Sequence, residues 1–503
     1  MRTKLFLLLF LTGSIIPNLL LAQYLQQGTK LVGTGSLGNA NQGRSVAISS
    51  DGNTAIVGGP TDNNVAGAVW VFTRSGGVWT QQGTNLIGTG ASFATQGFSV
   101  AISSDGNTAI VGGPADNNNI GSVWIFTRSG GVWSQQGLKL IGTGAVGIAY
   151  QGFSVAISSD GNTAIAGAYH DNNFIGAAWI FTRSGGVWTQ QGSKLVGTGA
   201  VGSSAQGNSV AISSDGNTAI VGGLWDNSFG AVWVFTRSGN VWTQQGPKLV
   251  GSGSIGGPEQ GSSVAISSDG NTLVEGGAYD NSLAGAVWVF TRSGGVWTQQ
   301  GAKLIGTGAV GQPYQGYSVA ITSNGNTFIE GGAGDNGNAG AVWVFTRSGG
   351  VWTQQGTKLV GTGAIGNPVY QGWTVAISSN GNTAIEGAYD DNTGVGAVWV
   401  FVNPSIGITT ISTEIPMDFS LSQNYPNPFN PSTNIRYDLP KNGIVKLVVF
   451  DELGREIKTL VNENQTAGTY EATFNASQYP SGIYFYKLIT DGFSETKKML
   501  MIK

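Results

Sequence analysis

Hydrophobic and polar residues alternate along most of the chain, in short runs that glycine-containing turns separate. From Ser45 onward, the runs SVAIS and TAIVGG flank Asp-Gly-Asn, and the runs AVWVFTR and VWTQQ flank Ser-Gly-Gly. Alternation with a period of two predicts strands, and Asp-Gly or Asn-Gly between two such runs predicts a hairpin turn. β-branched and aromatic residues fill the runs, and none has helical periodicity. The pattern therefore predicts a unit of four short antiparallel strands.

The four-strand unit recurs with a spacing of 54 or 55 residues, which its QQG tripeptide marks. Its first hairpin motif starts at Ser45, Ser99, Ser154, Ser209, Ser263, Ser318 and Thr374. The fourth-strand sequence follows six of these seven copies, and a seventh stands before the first copy, from Tyr24. We expect this N-terminal strand to complete the last unit and close a ring, because closure removes an exposed sheet edge. Four-stranded units in radial repetition are typical of a β-propeller, so the predicted fold is all-β with seven blades.

The chain divides into four predicted segments. Residues 1–22 carry a basic start, an apolar run and a small final residue, which is typical of a secretory signal peptide. Residues 23–403 hold the repeats, 404–418 are a linker, and 419–503 show strand patterns that predict a small β-sandwich. Cysteine is absent, so an exported fold would rely on packing. With a net charge of −3 and no basic stripe, we expect no nucleic-acid partner, and no transmembrane segment after signal removal.

The C-terminal segment carries the runs QNYPNPFNP, GIYFYKL and TKKM. The motif residues are Tyr425, Pro426, Asn427, Pro428, Phe429, Gly482, Tyr484, Tyr486, Lys497 and Lys498. Together these runs resemble the type A C-terminal sorting domain of the type IX secretion system of Bacteroidetes-type bacteria. The resemblance implies a secreted or cell-surface protein whose residues 419–503 engage the secretion machinery.

The repeat resembles a second family. Gln96-Gly97-Phe98-Ser99-Val100-Ala101 stands where FG-GAP repeats have Phe-Gly-x-Ser-Val-Ala, although every copy has Gln for the first Phe. The resemblance implies a propeller related to the integrin α-subunit head, which is usually a binding module. Some FG-GAP blades hold calcium in loops with several aspartates, but here the turn has one acid, Asp51, which becomes Asn324 and Asn380 in the last two copies. Exchange between Asp and Asn favours turn geometry, so we expect no cofactor and keep calcium as the alternative.

A second acid recurs once per copy, between the second and third strands, and is always followed by Asn. These acids are Asp62, Asp116, Asp171, Asp226, Asp280, Asp335 and Asp391. Either each one caps its loop through an Asx turn, or the seven form a ring of weak cation sites on one face.

The loops between strands two and three share a face with the connections between consecutive units, and this face varies most among the copies. Its aromatic residues include the predicted ligand-binding set Phe98, Tyr150, Phe153, Trp225, Tyr314, Tyr317, Tyr370 and Trp373. Planar rings beside Asn, Gln and Asp suit sugar recognition, because sugars offer both apolar faces and hydroxyls. The alternative is that these rings fill gaps between blades.

Three glutamates, Glu275, Glu330 and Glu386, replace Val or Ala at the end of the second strand in consecutive copies. They are either a carboxylate cluster that binds a cation or shifts its own pKa values, or exposed strand ends. We expect a non-catalytic surface protein that binds glycan or protein through the variable face. The alternatives are a polysaccharide-active enzyme that uses the glutamates, and a structural component of the cell surface or matrix.

Overall fold

Seven four-stranded antiparallel sheets, numbered 1 to 7 here, occupy residues 25–402. The computed structural model describes residues 24–403, 408–412, 415–476 and 479–502, so the predicted signal peptide lies outside the described residues. In that described part the chain is all-β, and it holds no helix long and apolar enough to cross a membrane. The second and third strands of each sheet are apolar on both faces, and neighbouring sheets cover both of these faces.

The strands follow the predicted order, with the DGN and SGG turns at the predicted hairpins. The first strands of sheets 1 to 7 are Ser45–Ile48, Ser99–Ile102, Ser154–Ile157, Gln206–Ile212, Ser263–Ile266, Ser318–Ile321 and Thr374–Ile377. The second strands are Thr54–Gly59, Thr108–Gly113, Thr163–Ala168, Thr218–Gly223, Thr272–Gly277, Thr327–Gly332 and Thr383–Ala388. The third strands are Ala68–Ser75, Ser122–Ser129, Ala177–Ser184, Ala231–Ser238, Ala286–Ser293, Ala341–Ser348 and Ala397–Val402. The fourth strands of sheets 1 to 6 are Val78–Gln81, Val132–Gln135, Val187–Gln190, Val241–Gln244, Val296–Gln299 and Val351–Gln354.

Single helical turns connect strands two and three, where the sequence predicts loops. They span Asp62–Val65, Asp116–Asn119, Asp171–Phe174, Asp226–Ser228, Asp280–Leu283, Asp335–Asn338 and Asp391–Gly394. The residues after each aspartate adopt left-handed backbone, as at Asn63 (φ 48°) and Asn64 (φ 54°). Asn tolerates this region better than most side chains, which explains the Asp-Asn pairs of the sequence.

The N-terminal strand Leu25–Gln26 supplies the fourth strand of sheet 7. Leu25 pairs with Val402 and Gln26 with Phe401, which confirms the predicted pairing of the chain's two repeat ends. The Gln27 side-chain oxygen then accepts one hydrogen bond each from Arg74 and Trp79 of sheet 1. This N-terminal segment therefore joins the last sheet to the first.

A closed cycle of seven backbone hydrogen bonds links all seven sheets at the hairpins between strands one and two. Each serine amide donates to the serine carbonyl of the next sheet, over 3.0 to 3.2 Å. The serines are Ser50, Ser104, Ser159, Ser214, Ser268, Ser323 and Ser379, after which Ser379 donates back to Ser50. The cycle draws the first strands together at this end.

One tryptophan of each third strand fills the interface with the preceding sheet. Trp70 packs with Val57 of its own sheet and with Ile385 and Val398 of sheet 7, and its indole N–H donates to the Thr34 carbonyl at 2.8 Å. All seven tryptophans of this kind are fully buried: Trp70, Trp124, Trp179, Trp233, Trp288, Trp343 and Trp399. A Cβ at Gly33 would lie 2.1 Å from the Trp70 ring, so the close approach requires glycine there.

The C-terminal module contains two four-stranded sheets around one shared core. In sheet order, the first consists of Ile408–Ser412, Gly468–Asn475, Ser432–Leu439 and Ser420–Leu421. The second consists of Glu456–Gln465, Gly443–Phe450, Gly482–Thr490 and Phe493–Met501. Tyr437 of the first sheet and Tyr486 of the second are both buried in the shared core. Strand Ile408–Ser412 corrects the prediction that 404–418 is only a linker, because its backbone pairs with Gly468–Asn475.

Candidate functional site

A cavity of about 390 Å³ opens at the end of the first strands opposite the serine cycle. Each sheet contributes to its wall the residue that precedes its Ser-Val-Ala-Ile motif, which is Thr-Val-Ala-Ile in sheet 7. These seven residues are Arg44, Phe98, Phe153, Asn208, Ser262, Tyr317 and Trp373. The volume falls in the range of small-molecule sites, about 300 to 1,000 Å³. Hereafter this space is called the axial cavity.

Four of the predicted ligand-binding aromatics, Phe98, Phe153, Tyr317 and Trp373, line the axial cavity. They are not isolated rings, because Phe98 and Phe153 lie 4.9 Å apart between ring centroids. Tyr317 and Trp373 lie 4.4 Å apart. The structure thus brings half of the predicted set to one place.

The other four predicted aromatics lie outside the cavity wall but extend its aromatic surface. Tyr150 stacks on Tyr169 at 5.7 Å, and Trp225 contacts the same ring at 6.4 Å. Tyr370 lies parallel to Tyr389 at 5.4 Å. Tyr314 contacts Tyr279 of the cavity wall in a T-shaped arrangement, with 5.8 Å between the ring centroids. All of these contacts lie on the predicted variable face.

Arg44 is a candidate binding residue that the aromatic pattern of the sequence does not indicate, because it stands where most of the other copies have an aromatic ring. Its guanidinium carbon lies 4.2 Å from the Phe98 ring centroid and 5.1 Å from that of Trp373. Among the described residues, Arg44 has no side-chain hydrogen bond and no ion pair. Burial lowers the pKa of Arg44, and the hydroxyls of Tyr317 and Tyr389 oppose that shift. The guanidinium nevertheless stays charged at neutral pH.

The wall opposite Arg44 is polar. Asn208 and Ser262 come from sheets 4 and 5, three and four sheets from Arg44 around the ring. The Asn208 amide donates to the Ser262 carbonyl at 3.0 Å, which leaves its side-chain oxygen as an acceptor. Glu259 lies on the same side, and burial raises the pKa of its carboxyl. The axial cavity therefore has a cationic wall, a polar wall and aromatic rings between them.

The seven recurring aspartates have a structural role that corrects the prediction of cation sites. Asp116 accepts a hydrogen bond from the Ser92 amide at 2.8 Å and forms an ion pair with Lys139 at 2.6 Å. Five further aspartates, Asp171, Asp226, Asp280, Asp335 and Asp391, form the same kind of lysine pair. An ammonium group thus occupies the place that a metal ion would need. The exception is Asp62, because Asn85 stands where the other sheets have the lysine, and its side-chain amide donates to Asp62 at 3.4 Å.

The acid of the DGN turn also has local partners. Asp51 accepts hydrogen bonds from the Ser49 hydroxyl at 2.5 Å and from the Asn53 amide at 2.9 Å. These bonds hold the pKa of Asp51 below its usual value, although burial acts in the opposite direction. Asn324 repeats the bond to the amide two residues on, which explains why Asp and Asn exchange at this turn.

The three glutamates do not form the predicted cluster, and they are not exposed strand ends. Glu275, Glu330 and Glu386 are completely buried, each in a different interface: between sheets 4 and 5, 5 and 6, and 6 and 7. Their carboxylate oxygens make no hydrogen bond of ordinary geometry among the described residues. The nearest backbone amides, those of Gly251, Gly316, Gly361 and Gly372, only partly oppose the effect of burial on the pKa. Burial raises the pKa of all three, that of Glu386 to about 8. Within the described residues, no group of three or more His, Asp or Glu side chains could hold a metal ion.

The predicted sorting motif folds against the last strand of the C-terminal module. The Phe429 amide donates to the Leu500 carbonyl at 3.0 Å, and Asn427 accepts from the Leu500 amide at 2.9 Å. The Tyr486 hydroxyl donates to the Ser422 carbonyl at 2.8 Å. Tyr425 remains 81% exposed, so its ring is free for a partner.

Residues 423–503 match the secretion system C-terminal sorting domain. This domain marks proteins that the type IX secretion system of Bacteroidetes exports to the cell surface or the extracellular space, so the protein is secreted or attached to the cell surface. The match covers the C-terminal module alone, and the resemblance of the repeat to FG-GAP proteins stays a prediction. A comparison with curated proteins gives no match.

Several solved structures have a similar general architecture. Hydrazine synthase of Kuenenia stuttgartiensis is 13% identical, with a TM-score of 0.46 over 73% of this chain and 97% of that chain. The periplasmic gluconolactonase of Pseudomonas aeruginosa is 16% identical, with a TM-score of 0.43 over 63% and 85%. The β-propeller domain of the Trilobed protease from Pyrococcus furiosus is 8% identical, with a TM-score of 0.39 over 71% and 94%. None of the three similarities bears on activity.

Proposed function

We propose that residues 24–403 are a seven-bladed β-propeller that binds glycan in the axial cavity, and that the C-terminal module is a β-sandwich used for export. The protein then acts as a non-catalytic recognition protein outside the cell. The observation that carries the proposal is the axial cavity itself, which collects aromatic rings from sheets 2, 3, 6 and 7 on the variable face.

Sugar is the ligand class that suits this wall. Its rings, Phe98, Phe153, Tyr317 and Trp373, offer apolar faces against which the C–H faces of a sugar stack. Asn208 and Glu259 offer hydrogen-bond acceptors for hydroxyls. The cavity is concave and mixes apolar rings with a few polar groups, as sites for small molecules do.

The glutamates support the enzymatic alternative poorly. Glycoside hydrolysis needs two carboxyl groups that flank one bond, at roughly 5 to 10 Å from each other. Glu275, Glu330 and Glu386 lie in separate interfaces, buried among apolar side chains. A purely structural surface role has no specific observation in its favour.

A glycan array with the purified protein tests the proposal. Trp373→Ser and Tyr317→Asn place in sheets 7 and 6 the residues that sheets 5 and 4 have at the equivalent positions, Ser262 and Asn208. We expect each variant to lose at least tenfold in affinity for the glycans that bind, because stacking area is lost. Tyr425→Ala is the matched control, since this aromatic residue is exposed on the sorting module.

Thermal unfolding of each variant checks that the fold is intact. Absence of binding above background, or equal binding by the Trp373→Ser variant and the original protein, would contradict a glycan site in the axial cavity. Capture of a protein ligand that those variants lose would favour protein recognition at the same face.

A further inference from the structure

We propose that Arg44 makes the axial cavity selective for sugars that carry a carboxylate, that is, for uronic acid residues. This inference rests on the proposed glycan binding and specifies its substrate class.

Arg44 is a charged group without a partner. The Phe98 and Trp373 rings lie within 4.2 and 5.1 Å of its guanidinium carbon, and no described carboxylate pairs with it. Aromatic rings compensate part of the desolvation of a cation, but they do not satisfy five N–H donors. A carboxylate would satisfy two of them at once, in the bidentate geometry that guanidinium favours.

The repeat shows that Arg44 is not needed to build the cavity. The six equivalent positions hold Phe98, Phe153, Asn208, Ser262, Tyr317 and Trp373, which are neutral. The fold therefore accommodates a neutral side chain at this position, including the hydroxyl of Ser262 and the amide of Asn208. The single cation places one positive charge in a ring of seven positions, so a ligand can bind in only one favourable orientation.

The opposite wall suits the rest of a sugar acid and disfavours a bare anion. Asn208 and Glu259 line the cavity beside sheets 4 and 5, away from sheet 1 and Arg44, and their side-chain oxygens are acceptors. Sugar hydroxyls can donate to these acceptors, whereas a highly charged anion would be repelled by Glu259. One carboxylate at one end and hydroxyls at the other match the polarity of the cavity.

Titration calorimetry of the full chain tests the inference with four monosaccharides: glucuronic acid, galacturonic acid, glucose and galactose. We expect at least one acid to bind tenfold or more tightly than its neutral counterpart at low salt. Arg44→Asn, which copies Asn208, should abolish this preference, and Arg44→Lys should retain part of it because the charge remains. Arg455→Gln is the matched control, since it removes the same charge from an arginine side chain that is 73% exposed in the C-terminal module.

The possible outcomes separate this inference from the proposed function. Equal affinity for an acid and its neutral counterpart, or a preference that survives Arg44→Asn, would overturn the role of Arg44 while glycan binding stands. Acetate that binds as tightly as the uronic acids would indicate an anion site without sugar recognition, which also overturns the inference. Failure of all four sugars here, together with no binding on the array, would overturn both proposals.

Discussion

Glu386 shows how a single position can differ from its repeats. It pairs across the strands with Val375 and Trp399, at a position where sheets 1, 2 and 4 have Val57, Val111 and Val221. The carboxyl is completely buried and makes no hydrogen bond of ordinary geometry among the described residues, and the nearby Gly361 and Gly372 amides only partly oppose the effect of burial on its pKa. Such burial favours the protonated form, so three interfaces of the ring contain carboxyl groups that resist ionisation.

The stability of the protein should therefore fall as pH rises from about 4.5 to about 8. Burial raises the pKa of Glu386 from 4.5 to about 8, so within this window the folded protein keeps a proton that the unfolded chain has released. Within this window Glu386 lowers the free energy of unfolding by about 1.4 kcal/mol for each pH unit of increase. In Glu386→Val we expect the contribution of Glu386 to this pH dependence to vanish. The variant should be more stable than the original protein at pH 8 and about equally stable at pH 4.5.

Denaturant unfolding across pH 4 to 9 measures the effect. As the reverse control, Val221→Glu should add a similar slope from sheet 4. Parallel pH profiles of the original protein and Glu386→Val would contradict the assignment of a protonated carboxyl.

The sequence could identify these residues but not their surroundings. Glu275, Glu330 and Glu386 stand out as departures from the repeat, yet only packing shows that each lies in its own interface. Arg44, by contrast, does not stand out in the sequence. Its environment depends on Phe98 and Trp373, which lie 54 and 329 residues later in the chain. Distant contacts of this kind leave no local pattern in a sequence.

At the level of elements, the turn after each second strand is fixed by one carboxylate. Asp171 accepts from the Val146 amide of the preceding connection at 2.7 Å and pairs with Lys194, which follows the fourth strand. One side chain thus joins three segments of the chain. Sheet 1 lacks the cation, because Asn85 takes the place of lysine.

Asn85→Lys should complete the missing pair and stabilise the protein. Burial raises the pKa of Asp62, which shows that its carboxylate is poorly compensated at present. A lysine there should add about 1.5 to 3 kcal/mol at pH 7, the range for a hydrogen bond to a charged group. Thermal unfolding reports the gain, which should shrink at pH 3, where the carboxyl is protonated.

Lys139→Asn provides the matched test, because it recreates in sheet 2 the pair found in sheet 1. It should cost roughly what Asn85→Lys adds. If neither substitution changes the midpoint of unfolding, the ion pairs contribute nothing measurable to stability.

The elements themselves were largely predictable. Hairpins with DGN and SGG turns follow from local alternation, and they occur where the pattern puts them. Strand Ile408–Ser412 was not predictable, because it forms by pairing with Gly468–Asn475 and lies in a segment with a linker-like composition. The one-turn segments at Asp62–Val65 and its equivalents are too short for any helical period to appear.

At the level of the whole molecule, sheet 7 differs from the other six because its strands come from both ends of the repeat region. The Gln27 amide donates to the Val400 carbonyl at 2.8 Å. In sheet 1 the equivalent bond runs from the Gln82 amide to the Val71 carbonyl, also at 2.8 Å, but there the chain is continuous. The two bonds are equal in length, but only the Gln27 bond joins the N-terminal strand to the end of the repeat region.

Gln27→Pro and Gln82→Pro each remove a backbone amide donor and a glutamine side-chain acceptor, at equivalent positions of sheets 7 and 1. We expect Gln27→Pro to speed hydrogen exchange in Ala397–Val402 by more than tenfold and to promote self-association through the exposed edge. Gln82→Pro should lower the midpoint of unfolding while Ala397–Val402 stays protected. Identical exchange in the two variants would mean that the N-terminal strand does not hold the ring closed.

Because Leu25 pairs with Val402, sheet 7 cannot form from one continuous stretch of chain. Sheets 1 to 6 each consist of a continuous stretch of chain and can form as soon as that stretch is available. Sheet 7 is complete only when its third strand, the last one in the repeats, pairs with the first residues of the ring. A chain that is cut short before Ala397 therefore leaves the strand Leu25–Gln26 without its partner.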